Sequence, residues 1–254
     1  VKGLNPFDGI KWMLKFKKVL LQERPDIVLG YTIKNNIFGA IASKVCKIPF
    51  IPNVTGLGTA FISGGLLQKV AELLYKKAFA FLPCVFFQNI DDLDLFLERR
   101  LVQAKQAHLL PGSGIDLTKF APVEYPSELA GVVFLMISRV LSDKGIFEYV
   151  EAARIVKAKW PHARFQLLGS IEATNRSAID KEIVQSWQEE GIIEYLGKVN
   201  DVRPYISSSH IVVLPSYREG APRALIEASA MARPILATNV PGCRMIVDDG
   251  HTGL

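Results

Sequence analysis

The sequence has few cysteines, few histidines and no long apolar run. Cys46, Cys84 and Cys243 are odd in number and far apart, and no Cys-x-x-Cys or Cys/His ligand spacing occurs. This argues against a disulfide framework and against structural zinc, and it fits buried thiols in a reducing cytosol. His108, His162, His210 and His251 form no cluster. The longest unbroken apolar stretch, Ala78 to Phe87, has ten residues and contains Pro83, about half of what a membrane-spanning helix needs. No signal peptide is read in the opening Val-Lys-Gly. Charge of one sign is also scarce: 30 Lys and Arg against 25 Asp and Glu leave +5. That suits an anionic ligand or membrane surface but is too weak to imply nucleic acid.

What is present is an ordinary globular composition, 49% apolar and 22% charged over 254 residues, enough for one or two domains with a sizeable core. The second half alternates strand and helix patterns. Gly131 to Ser138 (GVVFLMIS), Arg164 to Gly169 (RFQLLG), Ile192 to Leu196, His210 to Pro215 (HIVVLP) and Pro234 to Ala237 read as strands. Near-continuous apolar runs of this kind indicate strands covered on both faces. Between them lie a helix capped by Ser142 or Asp143, a helix-compatible stretch from Asn175 to Glu190, a short turn-helix over Val202–Ser207 and a helix opening near Pro222. The first half repeats the grammar. Helices are expected at Lys11–Glu23, Ile37–Cys46, Leu66–Phe81 and Asp91–Arg100, and strands at Asp26–Gly30, Pro49–Val54 and Cys84–Gln88. The fold class is α/β with parallel, doubly wound sheets. A hinge is placed at the Gly/Pro-dense segment from Pro111 to Asp116, dividing residues 1–111 from 112–254.

Two constellations carry chemistry. In Tyr217-Arg-Glu-Gly-Ala-Pro-Arg-Ala-Leu-Ile-Glu227, Glu219 and Glu227 flank a helix start. Pro222 suits the first helical position, Gly220 admits close approach of a ligand, and the helix N-terminus favours an anion such as phosphate. In Ser138-Arg-Val-Leu-Ser-Asp-Lys-Gly145, Arg139 follows a strand directly and Lys144 lies just inside the next helix. Ligands of open parallel sheets bind outside the carboxyl ends of the strands, where two cations neutralise a diphosphate.

Together, Arg139, Lys144 and Glu219-x7-Glu227 resemble the donor site of family 4 retaining glycosyltransferases of the GT-B fold. Gly112-Ser-Gly-Ile-Asp116 is similar to that family's interdomain segment and Gly197-Lys-Val199 to its base-binding turn. Met231 to Arg244 and Asp249 to Leu254 resemble its closing segments. In the first half, Gly30 to Asn36, Asn53 to Gly58 and Phe86 to Asn89 resemble a bacterial branch that builds O-antigen, capsule or other glycans on polyprenyl lipid carriers, often from N-acetylhexosamine donors. The resemblance implies two Rossmann-like domains, both incomplete here: the C-terminal part of an acceptor-binding domain over 1–111, and a donor domain over 112–254 truncated at its end.

It implies catalysis without a metal or other cofactor, a UDP-sugar as donor, and a lipid-linked saccharide as acceptor. Arg139 and Lys144 would hold the diphosphate. Glu227 would accept hydrogen bonds from the ribose, and Val199 would meet the base. Glu219, with Gly220, Ala221 and Pro222, would position the sugar. The implied location is cytoplasmic, with peripheral contact to the inner face of the membrane. The alternatives are another enzyme class on the same fold, a UDP-sugar epimerase or phosphorylase, and a nucleotide-sugar binding fragment without turnover.

One departure concerns catalysis: where many members carry a histidine after the first strand, this chain has Tyr31, followed by Thr32. Lys34 and Asn35, with Thr55 and Gly56, are the acceptor-side candidates. Weaker patterns are discounted. Asp92-Leu-Asp94 matches a metal-binding Asp-x-Asp but sits at a helix start, where acids favour the dipole. Thr55 to Ala60 lacks the third glycine of a dinucleotide fingerprint. Asn53-Val-Thr55 and Asn175-Arg-Ser177 are glycosylation sequons by letter only. The basic, aromatic stretch Lys11 to Lys18 suits either a lipid headgroup layer or a helix covering a sheet with its lysines in water.

Overall fold

A computed structural model describes residues 6–57, 61, 64–127, 131–171, 175 and 177–254. The chain divides into two compact units, Val1–Ser113 with Glu219–Ala221, and Gly114–Arg218 with Pro222–Leu254.

In the first unit, α1 (Pro6–Glu23) leads into β1 (Val28–Tyr31), α2 (Ile33–Cys46), β2 (Phe50–Val54), α3 (Gly65–Phe79), β3 (Val85–Phe87), α4 (Ile90–Glu98) and β4 (Ala107–Leu109). The strands are parallel in the order β1-β2-β3-β4. Helix α3 turns Ala71, Tyr75, Ala78 and Phe79 inward, a spacing of four, three and one that places them on one face. Tyr75 meets Phe79 and Phe96 edge-on at centroid separations of 5.0 Å, and Phe87 meets Phe96 in the same way. This aromatic cluster is the centre of the unit's core.

In the second unit, β5 (Val133–Ile137), α5 (Ile146–Lys159), β6 (Arg164–Leu168), α6 (Lys181–Glu189), β7 (Glu194–Gly197), α7 (Arg203–Ser208), β8 (Ile211–Leu214), α8 (Arg223–Ala230) and β9 (Ile235–Ala237) follow one another. All strand pairs are parallel and the order is β7-β6-β5-β8-β9. The chain therefore winds outward from β5 through β6 to β7, then returns to β8 on the other side of β5. Leu135, Met136, Leu167 and Val212 on the central strands are fully buried, as their uninterrupted apolar runs require.

Several boundaries differ from the sequence expectation. Helix α1 starts at Pro6 rather than Lys11, and α2 starts at Ile33 rather than Ile37. Asn35 and Asn36 are weak helix formers, but the Asn36 side chain donates to the Asn53 carbonyl at 2.8 Å, which holds the first turn in place. Strand β4 was not expected: its three residues Ala-His-Leu are mostly exposed at the sheet edge. Helix α6 begins at Lys181, not Asn175. Ser142 and Asp143 do not cap α5. They form a single 3₁₀ turn with Lys144, after which Gly145 takes φ 75° and becomes the residue preceding α5. Cys46 and Cys84 are only half-buried, and Cys243 alone is buried. Among the described residues no helix is long and apolar enough to cross a membrane.

Candidate functional site

The winding reverses between β5 and β8, so their carboxyl ends form the topological switch point of the second sheet, the place where open parallel sheets bind ligands. Arg139 lies two residues after β5 and is exposed; Lys144 is half-buried. The loop carrying them is fixed on both sides. The Ser138 amide donates to the Leu168 carbonyl and the Val140 amide to the Ser170 carbonyl, both at 3.0 Å, tying it to the end of β6. Toward β8, the Tyr217 amide donates to the Asp143 carbonyl at 3.1 Å. Tyr217 Oη also donates to Glu148 Oε1 on α5 at 2.5 Å, an exposed contact that pushes the tyrosine pKa up through its carboxylate partner. The loop after β5 and the loop after β8 thus abut at the switch point.

One glycine makes this closeness possible, and a second does the same between the ends of β5 and β6. A Cβ on Gly145 would lie 2.1 Å from the Pro215 carbonyl oxygen, and one on Gly169 would lie 1.7 Å from the Ser138 carbonyl oxygen. Either side chain would force the loops apart. In the sequence, Gly145 and Tyr217 stand at the ends of the two constellations without a role of their own, and Gly169 reads only as the end of a strand.

Lys144 lies in the 3₁₀ turn rather than inside α5, because the left-handed Gly145 interrupts the helix. Pro222 is likewise not the first helical residue. Its ψ of 111° is extended, it precedes α8, and it offers no side-chain cap to the helix N-terminus. The positive end of α8 is therefore presented without a capping oxygen from that residue. Glu227, on the second turn of α8, is 8% exposed. Burial raises its pKa, and Arg223, whose Nε lies 3.0 Å from Glu227 Oε1, pulls it partly back. Val199 is half-buried two residues beyond β7, two strand spacings or about 10 Å across the sheet from β5. Glu219, Gly220 and Ala221 lie in the connection from β8 to α8 and group with the first unit. Within that unit, Asn89 Nδ2 donates to the Gly220 carbonyl at 2.9 Å. A Cβ on Gly220 would lie 1.9 Å from the Thr55 carbonyl oxygen.

The acceptor-side candidates gather at the carboxyl edge of the first sheet. Lys34 and Asn35 occupy the first turn of α2 after β1, and Thr55 and Gly56 follow β2, the neighbouring strand. Gly56 takes φ 130°. Thr32, between them and Tyr31, takes φ 68° and ψ 155°, a region costing a β-branched residue about 1–3 kcal/mol. Gly58 to Ala60 lie outside the described residues, as does Arg176 of the second sequon. Asp92 is fully buried and receives an amide hydrogen bond from Asn89 Nδ2, whereas Asp94 is exposed on the same helix. The two carboxylates face apart, and among the described residues no cluster of His, Cys, Asp or Glu could hold a metal.

Residues 131–254 match the family described as Glycosyl transferases group 1. Over 99% of its length the chain is 32% identical to the N,N'-diacetylbacillosaminyl-diphospho-undecaprenol alpha-1,3-N-acetylgalactosaminyltransferase of Campylobacter jejuni, covering 69% of that relative. It is 26% identical, again over 99% of its length, to the UDP-Gal:alpha-D-GlcNAc-diphosphoundecaprenol alpha-1,3-galactosyltransferase of Escherichia coli, covering 67% of it. Among solved structures, Anabaena HepE in complex with UDP and glucose is similar with a TM-score of 0.75 at 18% identity, over 95% of this chain and 66% of HepE. Sucrose-phosphate synthase from Thermosynechococcus elongatus gives a TM-score of 0.76 at 21% identity, over 96% of this chain and 63% of the synthase. The chain spans about two thirds of the length of these relatives. The fold is GT-B, with two parallel α/β sheets.

Proposed function

The chain belongs to the Glycosyl transferases group 1 family, and from that premise we propose that it moves a hexose or N-acetylhexosamine from a UDP-sugar to a polyprenyl-lipid-linked saccharide, with retention of configuration. The observation that supports this reading is the switch point itself: the loop after β5, which carries Arg139 and Lys144 in its sequence, is joined to the loop after β8 by the backbone hydrogen bond from Tyr217 to Asp143. A diphosphate bound there would meet Arg139, Lys144 and the positive end of α8 together. Charge developing on the departing UDP would be stabilised without reorganisation, the largest single contribution available to such a site. Arg139 and Lys144 would supply the neutralisation that a metal supplies elsewhere.

Glu227 would accept hydrogen bonds from the ribose hydroxyls, and its burial strengthens them by excluding water. Val199 would meet the base through its backbone. Glu219, with the amides of Gly220 and Ala221 and the ring of Pro222, would position the donor sugar and support oxocarbenium-like charge. Lys34, Asn35, Thr55 and Gly56 would receive the acceptor and its diphosphate. Both relatives named above act, by their names, on undecaprenol diphosphate-linked sugars, which supports a lipid-linked acceptor here. Their names are those of transferases, which favours transfer over the epimerase and binding-only readings. The work would be done at the cytoplasmic face of the membrane, where such an acceptor is displayed.

The test is release of UDP by a full-length version, followed with a panel of UDP-sugars and a polyprenyl-diphosphate-linked saccharide. The reading requires UDP release that depends on the acceptor, with the product one sugar longer. Acceptor-independent interconversion of the UDP-sugar would show an epimerase instead.

A further inference from the structure

Asn89 does more than start a helix. It directly precedes α4, and its Oδ1 accepts the Asp92 amide at 2.8 Å, which is an N-cap. Asparagine, aspartate and serine cap about equally well, so capping alone does not call for an amide. The choice matters at Nδ2. Its two N–H groups go to Asp92 Oδ2 at 3.1 Å and to the Gly220 carbonyl at 2.9 Å, 131 residues away in sequence. Asn89 and Asp92 are both fully buried, so the donors of this amide are all used inside the protein. The same contacts fix which way the amide faces. Turned over, it would set its oxygen against the carboxylate and its N–H groups against an N–H.

The carbonyl so held belongs to the tripeptide Glu219–Ala221, which groups with the first unit. The tripeptide also lies directly on the turn after β2. A Cβ on Gly220 would stand 1.9 Å from the Thr55 carbonyl oxygen, and one on Gly56 would stand 3.3 Å from the Gly220 nitrogen. Backbone therefore meets backbone here with no side chain between. Val54 pairs with Phe87, so Thr55–Gly56 and Gln88–Asn89 leave neighbouring strands at the same level. The Gly220–Ala221 peptide is trans, so the Ala221 N–H points opposite to the Gly220 carbonyl. With that carbonyl drawn onto Asn89, the Ala221 N–H is aimed away from Asn89.

We propose that Asn89, itself held by Asp92, is a positioning residue for sugar transfer: by taking the Gly220 carbonyl it sets the direction of the Ala221 amide and the seat of Glu219. Those are the groups given above to the donor sugar. Asn89 acts through them and touches no substrate itself. This rests on the transferase reading for what the tripeptide contacts, and stands without it for how the tripeptide is held. It also gives the segment Phe86-Phe-Gln-Asn89 a function: β3 carries the amide to the carboxyl edge of the first sheet, beside the turn on which the tripeptide lies. A displacement of a donor group by about 1 Å is enough to cost catalysis about a hundredfold.

Variants of a full-length version test it. Asn89→Ser keeps a capping oxygen and loses the amide, whereas Asn89→Ala loses both. Asn89→Ala should unfold at a lower midpoint than Asn89→Ser, yet the two should lose turnover of a UDP-sugar alike, by at least about tenfold. Both should keep UDP affinity within about twofold, because the groups given to UDP lie in the second unit. Gly220→Ala leaves the cap untouched and should reproduce the same split. Parent turnover in Asn89→Ser would reduce Asn89 to a helix cap. A loss shared equally by turnover and UDP affinity would make it a residue of the fold alone. Either result overturns the proposal. Hydrogen exchange reads the positioning without any substrate. In Asn89→Ser the amides of residues 217–221 should exchange at least about tenfold faster than in the parent, and those of α4 no faster. Unchanged exchange over 217–221 overturns the proposal. A parent that turns over none of the UDP-sugars counts against the transferase reading alone, since the exchange result is independent of it.

Discussion

Replacing Glu227 with Gln should make the protein more stable and a poorer binder of UDP. Glu227 is 8% exposed on α8, and its ion-pair partner Arg223 has a side chain 69% exposed. Burial raises the carboxyl pKa more than Arg223 lowers it. A group whose folded pKa lies above its unfolded value binds more protons in the native state. Its favourable contribution is complete below the unfolded value of 4.5 and is lost as pH rises through the folded value. At neutral pH the ionised Glu227 is therefore a net cost. Its ion pair with an exposed guanidinium returns under about 1 kcal/mol, whereas an incompletely compensated buried polar group costs about 1–3 kcal/mol. Glu227→Gln keeps the shape and removes the charge. The expected gain is about 1 kcal/mol, or about 2–4 °C in the midpoint of thermal unfolding, measured at pH 7.5 and shrinking toward pH 4. The same change weakens hydrogen bonds from ribose hydroxyls to an ionised acceptor, so UDP affinity should fall at least about tenfold by calorimetry. A variant that loses stability and keeps UDP affinity would refute this and make Glu227 a structural carboxylate.

Three further outcomes are expected. Gly145→Ala, at φ 75° and with its new Cβ 2.1 Å from the Pro215 carbonyl oxygen, should cost more than about 2 kcal/mol in urea unfolding and weaken UDP binding with it, because the loops after β5 and β8 can no longer abut. Glu219→Gln in a full-length version should lower turnover far more than UDP affinity, since its proposed interaction belongs to the transition state; intact turnover would remove that role. Arg164 binds Glu194 through two hydrogen bonds of 2.6 Å and holds its carboxyl below the usual range. The stability this adds is present at neutral pH and lost as pH falls through the lowered value, so Arg164→Met should cost under about 1 kcal/mol at pH 7 and nothing near pH 2.

The central strands of the second unit were legible because burial on both faces leaves a continuous apolar run, as in Val133–Ile137 and Ile211–Leu214. Their place beside Arg139 and the Glu219–Glu227 stretch was legible for the same reason: chemistry in such sheets follows directly after a strand. What escaped the sequence depended on single contacts at a distance. Gly145 reads as an ordinary helix-start residue until the Pro215 carbonyl is seen against it. Asn36 reads as a helix breaker until its amide is seen on Asn53. Strand β4 carries no apolar alternation because it lies at an edge, and only its pairing with β3 defines it. On α1 and α3 the lysines are equally visible in the sequence. Only the burial of Tyr75 and Phe79 shows which stripe of α3 faces out.

The most direct measurement compares UDP with uridine by calorimetry, in the parent chain, in Arg139→Ala and in Lys144→Ala. Uridine lacks the diphosphate and so reports on folding and on the Val199 and Glu227 side of the site. Each substitution should weaken UDP by about 1–3 kcal/mol and leave uridine unchanged. UDP affinity that survives both substitutions, or a loss shared equally by uridine, would contradict a diphosphate held by these two side chains at the switch point.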